Sequence, residues 1–347
     1  MTSGEPGRQD YRRWGEVCVR PEAAAGLRGV DTVLFDIDGV LLDVTNSLHQ
    51  VGCRAVRFYL TRLLGWPDDG PVLEPPELRL FKVIPGFNDD WDLAYTMVLL
   101  NLVKAQLTGR REASRLREAS PTYAEFAAEL AADGGGFQPA VTRLLDRLDE
   151  AGRAEVLAQW DRPTILQVFQ EHYAGRRYCR PFYGYDPKYV DLPVGFIRND
   201  RPLLDRQRLP ARTRLGIYSG RTWEETKAAL ELAGWSDLFR REHIIVVDDG
   251  PKKPDPAGLV ILARRLGSRS AVYIGDMPDD RNAVRNYRAL PEPLPPMFDV
   301  LVRTGPLREQ PLETALAQGA DVVAPDVNAF LDWRNGAAEE TPPGGDP

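Results

Sequence analysis

The stretch TVLFDIDGVL, residues 32–41, decides the fold class. Its first four residues are apolar or β-branched, which is typical of a buried strand, and two aspartates, Asp36 and Asp38, follow at once. Side chains alternate along an extended chain, so both carboxylates can face the same way as the chain leaves the sheet. They repel each other there unless a cation or a proton lies between them. A plain tight turn is the alternative, because Asp and Gly are common turn residues.

Short apolar runs return in the second half of the chain and predict further strands at 215–218, 244–247, 271–274, 299–302 and 321–323. Between them, helical spacing of apolar residues predicts helices at 222–233, 256–266, 278–288 and 312–317. Strands and helices that alternate at these lengths predict an α/β fold, with a parallel sheet covered by helices on both of its faces.

Residues 45–210 have a different pattern, which predicts helices at 47–64, 90–107, 123–132, 141–148 and 163–173. We therefore expect a mostly helical domain inserted into an α/β domain whose first strand precedes it. The expected parts are an N-terminal arm at 1–30, a core of 31–44 plus 211–334, an insertion at 45–210 and a disordered tail at 335–347.

Composition limits the classes of partner. A length of 347 residues favours about two domains. The charge sum of 44 − 51 = −7 disfavours nucleic acid or an anionic membrane as the main partner. The three cysteines lack the spacing of a zinc site or disulfide framework, and neither a secretory leader nor a membrane-spanning run is recognisable. We expect a soluble, cytoplasmic protein; only six of the basic residues are lysines.

Three further predicted strands end in polar groups. Ser219-Gly220-Arg221 precedes a helix, where a hydroxyl and backbone amides suit phosphate, although a plain helix cap is the alternative. Lys252 and Lys253 follow the next strand, where a lysine can neutralise a carboxylate and a phosphoryl group; a solvated basic loop is the alternative. Residues 275–280, GDMPDD, carry three acids that suit Mg²⁺, or that favour the first turn of a helix. Four successive strand ends of this kind favour a functional site over coincidence.

The order of these stretches resembles the haloacid-dehalogenase-like hydrolase superfamily. Its signature is Asp-x-Asp-x-[Thr/Val], then Ser/Thr, then Lys, then an acidic Gly-Asp motif, on a Rossmann-like sheet. The matching stretches here are DIDGVL at 36–41, IYSGR at 217–221, KPDP at 253–256 and GDMPDD at 275–280.

The resemblance implies a role for each matching residue. Asp36 is then the nucleophile that forms an aspartyl-phosphate, and Asp38 is the general acid and base. Ser219 hydrogen-bonds the phosphoryl group, and Lys253 balances its charge and that of Asp36. The second aspartate argues against dehalogenation, because the dehalogenating members lack an acid/base at that position.

The resemblance also implies a Mg²⁺ site and contacts to the substrate. The metal residues are Asp36, the Asp38 carbonyl and Asp276, with either Asp280 or Asp279. The expected substrate contacts in the core are Gly39, Gly220 and Arg221.

The insertion resembles the superfamily's cap that follows the first motif, closes over the site and selects the substrate. Within it, the loop at 82–91 contains Asn88, a candidate substrate contact, although helix capping by Asn88 or Asp89 is the favoured interpretation. Arg180 is a second candidate, for an anionic tail of the substrate; the alternative is a solvated arginine.

The expected function is that of a phosphoric monoester hydrolase, a Mg²⁺-dependent phosphatase of a small phosphorylated metabolite. The alternatives are a phosphomutase with the same motifs and a non-catalytic binding protein that retains the fold. The identity of the substrate and the oligomeric state stay open.

Overall fold

The computed structural model describes residues 10–87 and 89–336, and the chain divides into two compact units. The first unit joins the chain up to Asp43 to the chain from Arg201 onward. The second unit is the continuous segment Val44–Asp200. The part of the tail beyond residue 336 lies outside the described residues.

The first unit is built on strands. Within the described residues these are β1 (Arg12–Trp14), β2 (Val17–Val19), β3 (Thr32–Phe35), β4 (Leu42–Asp43), β5 (Arg201–Pro202), β6 (Arg214–Tyr218), β7 (Ile244–Ile245), β8 (Ala271–Gly275), β9 (Met297–Val302) and β10 (Val322–Ala324). Eight of them form one sheet in the order β1-β2-β10-β9-β8-β3-β6-β7, and β4 pairs with β5 separately. The strands from β10 to β7 in this order are parallel.

The predicted α/β class with a parallel sheet is confirmed, and the register explains how the strand ends meet. β3 is buried throughout and lies between β6 and β8. Its last residue, Phe35, pairs with Ile217 on one side and Ile274 on the other. The residues that follow these three strands therefore leave the sheet at the same edge, where sites of parallel α/β sheets lie.

The N-terminal segment differs from the expected arm. β1 and β2 form a hairpin, and β2 pairs antiparallel with β10, so this segment extends the sheet. Helix α1 (Pro21–Arg28) follows and buries Ala23 and Leu27. The sequence did not predict this hairpin, because the segment has mixed charge and strands of three residues are too short to show an alternating pattern.

The second unit is mostly helical, as predicted. Its helices are α2 (Leu48–Phe58), α3 (Pro75–Lys82), α4 (Asp90–Thr108), α5 (Ala113–Glu118), α6 (Tyr123–Ala132), α7 (Phe137–Leu145), α8 (Glu150–Gln159) and α9 (Arg162–Tyr183). α4 packs against α2, α7, α8 and α9, and twelve of its residues from Leu93 to Lys104 are buried. A helix apolar on nearly all sides belongs at the centre of a bundle.

The remaining helices belong to the first unit: α10 (Trp223–Leu232), α11 (Ala257–Arg265), α12 (Pro278–Arg288), α13 (Leu312–Ala317) and α14 (Val327–Arg334). α11 and α12 pack on each other and on the sheet around Tyr218 and Tyr273. No helix in the described part of the chain has the length and apolarity needed to cross a membrane.

Candidate active site

Three buried carboxylates lie at the carboxyl edge of the sheet. Asp36 follows β3 directly, Asp276 follows β8, and Asp280 lies in the first turn of α12. One carboxylate oxygen from each lies within 4.8 Å of the others. All three residues are at most 4% exposed. The parallel register thus brings Asp36 to two acids that lie 240 and 244 positions further along the sequence.

Lys253 joins this cluster of carboxylates. Its Nζ lies 2.9 Å from Asp36 Oδ2 and 2.7 Å from Asp280 Oδ1, and it contacts the Tyr273 hydroxyl at 3.1 Å. Burial alone lowers the pKa of an ammonium group, but the Asp280 and Asp36 carboxylates hold the pKa of Lys253 well above its usual value. With all groups ionised, three negative charges face one positive charge.

The excess of negative charge appears in the pKa values of the acids. Burial raises the pKa of Asp36 to about 7; Lys253 opposes this rise, and Asp280 and Asp38 add to it. Burial, Asp280 and Asp36 also raise the pKa of Asp276 well above its usual value. Full ionisation of the cluster therefore requires a further cation.

The acids differ in their capacity to bind that cation. Asp280 already accepts hydrogen bonds from Lys253 Nζ, the Tyr273 hydroxyl and the backbone amides of Asp276 and Met277. Four donors fill the four lone-pair positions of a carboxylate. Asp276 Oδ1, in contrast, is buried and has no hydrogen-bond partner among the described residues. Asp276, together with Asp36, therefore fits a hard, oxygen-preferring divalent cation, and Asp280 anchors Lys253 and the loop.

The choice between Asp279 and Asp280 follows from the same geometry. Both residues are buried, but only Asp280 belongs to the carboxylate cluster. Sequence could not separate them, because both lie in the first turn of α12.

Asp38 and Arg221 form a second, adjoining pair. Arg221 Nε lies 2.9 and 3.1 Å from the two Asp38 carboxylate oxygens, and Arg221 Nη2 lies 2.5 Å from Oδ1. The arginine side chain is 4% exposed, whereas that of Asp38 is 27% exposed. Arg221, which is expected to contact the substrate, orients Asp38, whose carboxylate stays partly open to solvent.

The loop after β6 carries the predicted hydroxyl. Ser219 is buried, its amide donates to the Ile245 carbonyl, and its Oγ accepts from the Arg221 amide at 3.3 Å. Gly220 is exposed. Thr222, not Ser219, caps α10, because its side chain accepts from the Glu225 amide. The Ser219 hydroxyl is therefore not committed to capping the helix.

Gly39 has a steric role. Its amide donates to the Leu42 carbonyl at 2.8 Å, so it is not open to a ligand. Its φ of +73° favours glycine, and a Cβ there would lie 2.0 Å from Asp276 Oδ2. Gly305 approaches the same carboxylate, since a Cβ there would lie 1.7 Å from Asp276 Oδ2.

Three residues of this site were missed in the sequence. Tyr273 lies on β8 and contacts Lys253 and Asp280. Thr304 and Gly305 follow β9, and the Thr304 hydroxyl donates to the Gly39 carbonyl. The strand-end rule, applied to β9 as well, would have found the last two.

The candidates in the second unit have other partners. Asn88 lies outside the described residues. Asp89 caps α4 by accepting from the Trp91 amide at 2.9 Å, and Lys82 pairs with Asp90 at 2.8 Å. Arg180 is exposed and pairs with Asp186 through Nε at 2.9 Å. Asp89 therefore caps the helix, as the favoured interpretation of this loop expects, and Arg180 forms an exposed ion pair.

A family model described as haloacid dehalogenase-like hydrolase matches residues 30–286. The chain belongs to this family. That range includes all four motifs and the inserted unit, while Thr304 and Gly305 lie beyond it. No curated protein matches the chain.

Solved structures share the fold of this haloacid dehalogenase-like hydrolase. The phosphatase Tt82 from Thermococcus thioreducens is 24% identical, with a TM-score of 0.53 over 88% of this chain and 99% of its own. An X-ray structure from the Northeast Structural Genomics Consortium is 16% identical, with a TM-score of 0.56 over 88% of this chain and 98% of its own. At these identities the likeness concerns the fold alone.

Proposed function

We propose that this hydrolase is a Mg²⁺-dependent phosphatase that cleaves a small phosphorylated metabolite through an aspartyl-phosphate on Asp36. The observation that carries the proposal is the cluster itself. Lys253 bridges Asp36 and Asp280, next to Asp276, whose Oδ1 has no partner. A buried carboxylate with a fixed cation beside it suits nucleophilic attack on a phosphate dianion.

In the first half-reaction, an Asp36 carboxylate oxygen attacks phosphorus. The new acyl-phosphate bond forms as the bond between phosphorus and the ester oxygen breaks. Asp38 gives its proton to the leaving alkoxide, and Arg221 holds the Asp38 carboxylate in place. The Ser219 hydroxyl donates to a phosphoryl oxygen, and Lys253 neutralises charge beside Asp36.

In the second half-reaction, the Asp38 carboxylate takes a proton from water as the water oxygen attacks phosphorus. The acyl-phosphate bond breaks, inorganic phosphate leaves and Asp36 is restored as a carboxylate. Asp38 is again protonated, so each turnover consumes one water.

Asp36, Asp276 and the Asp38 carbonyl would hold the Mg²⁺ ion. When bound, the ion supplies charge neutralisation for the phosphoryl oxygens and for the acidic cluster. Asp280 keeps Lys253 and the loop backbone fixed through its four hydrogen bonds.

The test compares wild type with Asp36→Asn on a panel of monophosphates in the presence of Mg²⁺. Asparagine preserves shape but is a far weaker nucleophile, so we expect the release of inorganic phosphate to disappear. The control is Asp255→Asn, an exposed position where asparagine can still accept from the Ala257 amide. Full activity in Asp36→Asn refutes the mechanism, and an isomerised monophosphate as product indicates a mutase.

A further inference from the structure

The second unit contains an open groove of about 570 Å³ beside the C-terminal half of α2. Every residue that lines it belongs to the second unit. Its volume lies within the range of about 300–1,000 Å³ typical of small-molecule sites. Phe58, Pro71 and Leu73 provide apolar surface, and arginines from α2 and the following turn provide charge.

The lining carries an excess of positive charge. Asp68 faces two guanidinium groups, with Arg57 Nη2 at 2.6 Å and Arg62 Nη2 at 3.5 Å. Arg54 has no carboxylate within ion-pair distance among residues 10–87 and 89–336. The other lining carboxylate, that of Glu74, pairs outside the groove with Arg117 at 2.9 Å. The three arginines and two carboxylates of the lining therefore give it a net charge of +1.

Arg54 is held in place at the groove wall. Its guanidinium carbon lies 4.9 Å from the centroid of the Phe196 ring, a cation–π contact that restricts the side chain. A planar guanidinium fixed in this way offers paired donors that match phosphate or carboxylate geometry. Ordering such a group before binding lowers the entropy that a ligand must overcome.

His172 gives the groove a neutral hydrogen-bonding group. It is 8% exposed, and its Nδ1 contacts the Val168 carbonyl at 2.8 Å. Burial lowers the pKa of His172; the hydrogen bond to Val168 opposes the fall and the charge of Arg54 adds to it. A neutral ring that donates from Nδ1 leaves Nε2 as an acceptor.

The backbone of the groove wall is unusual. The segment Tyr59–Leu63 is a π-helical turn, in which the Leu64 amide donates to the Tyr59 carbonyl five residues earlier at 3.1 Å. Thr61 and Arg62 lie on this turn and line the groove. Such turns are rare and are frequently found at functional sites.

We propose that this groove binds a small organic anion with an aromatic body. The excess of positive charge in the lining matches an anionic group, and the apolar wall around Phe58 matches a ring. Phosphonates or phosphate monoesters and dicarboxylates share this chemistry, so the experiment uses one probe of each kind.

The experiment measures calorimetric binding of phenylphosphonate and of phthalate to the full chain. The variants are Arg54→Ala in the groove, Arg115→Ala as an exposed arginine elsewhere in the second unit, and Asp36→Asn in the first unit. Loss of a charge-assisted pair weakens binding by about tenfold or more. Among these variants, we expect the tenfold weaker binding in Arg54→Ala alone. Phosphatase activity should be unchanged in this variant, because Arg54 is not part of the catalytic cluster.

The probes and variants separate the outcomes. Binding of both probes through Arg54 supports the proposal, and binding of phenylphosphonate alone through Arg54 supports it for phosphoryl anions. Equal affinity in wild type and Arg54→Ala, or no measurable binding in wild type, overturns it. Binding that is lost in Asp36→Asn but kept in Arg54→Ala places the anion in the first unit and also overturns it.

Discussion

Lys253 in the first unit and Lys104 in the second unit are both buried, but their surroundings are opposite. Lys253 lies 2.9 and 2.7 Å from two carboxylates, which raise its pKa against the effect of burial. Lys104 on α4 is fully buried, and its Nζ has no hydrogen-bond partner among the described residues. The Tyr123 ring lies 5.0 Å from Nζ, and burial lowers the pKa of Lys104 to about 8 against the opposing charges of Glu77 and Glu125.

Burial of a charged group therefore does not by itself mark a reactive site in this protein. What distinguishes the two lysines is the supply of counter-charge. Lys253 is surrounded by more carboxylate than it can neutralise, which leaves the site able to take a further cation. Lys104 is buried with no ion pair among the described residues, which lowers the stability of the folded chain.

We expect the largest difference between the two lysines when each ammonium group is removed in a separate variant. Lys253→Met keeps a long, unbranched side chain but removes the positive charge between Asp36 and Asp280. We therefore expect kcat to fall by about 10³-fold. Lys104→Met should leave kcat within about twofold of wild type, since no proposed catalytic group contacts it. Steady-state release of phosphate from a shared substrate measures both.

Circular dichroism and Mg²⁺-dependent stabilisation should show that the Lys253→Met protein is folded. If Lys104→Met were the inactive variant, the division between a charge-compensated site and a structural lysine would be wrong.

Arg221 is a third buried cation, and it has a carboxylate partner. Lys at this position keeps the charge but loses the paired contacts to both Asp38 oxygens. We expect Arg221→Lys to lower kcat by about 10²-fold with little change in KM, because Asp38 loses its orientation and proton transfer suffers. Kinetics across pH measures the effect. A rise in KM at constant kcat would show instead that Arg221 contacts the substrate, as its motif position suggested.

The comparison also shows how far sequence predicts this molecule. The strand ends predicted Asp36, Asp276 and Lys253, since a polar residue after a buried strand has a fixed place in a parallel sheet. Predicted helices such as 278–288 and 312–317 match α12 and α13 at both ends.

The sequence does not show which hydrogen-bond donor contacts each acceptor. Arg221 follows Ser219 by two residues, yet its side chain turns to Asp38, 183 positions away. In the sequence, Tyr273 is typical of a buried strand residue. Only the packing of the folded chain brings its hydroxyl to Asp280. Lys104 occurs at a buried position of an apolar helix, where the sequence predicts no charge at all.

Removal of the Lys104 charge, in the second unit, should have a smaller effect, on the free energy of unfolding of the protein. Lys104 has a folded-state pKa of about 8 against an ordinary 10.5, so the unfolded chain binds the proton more tightly. The cost is fully present below about pH 8 and declines as pH rises toward 10.5. We expect Lys104→Met to raise the free energy of unfolding by about 2 kcal/mol at pH 7. Urea unfolding at pH 7 and at about pH 10 should show this advantage shrinking, and an advantage independent of pH would contradict the titration of Lys104.

The smallest effect concerns the carboxylate excess of the first unit. Without a bound cation, Asp36 has a pKa raised to about 7 from 3.8, and that of Asp276 is also raised. The folded state thus keeps protons that the unfolded chain has lost, so the free energy of unfolding falls as pH rises from 3.8 to about 7. Mg²⁺ must displace those protons at low pH but meets ionised acids at high pH.

We therefore expect Mg²⁺ to stabilise the protein by about 1 kcal/mol more at pH 8 than at pH 5.5, a shift of a few degrees in Tm at constant ionic strength. Thermal unfolding with Mg²⁺ or matched KCl measures the difference. Asp276→Asn should abolish most of it, because Asp276 Oδ1 is the buried acceptor with no protein partner. Asp279→Asn should retain it, since Asp279 lies outside the cluster. A reversal of these two variants would assign the cation to Asp279, in the first turn of α12, instead of Asp276 in the loop before it.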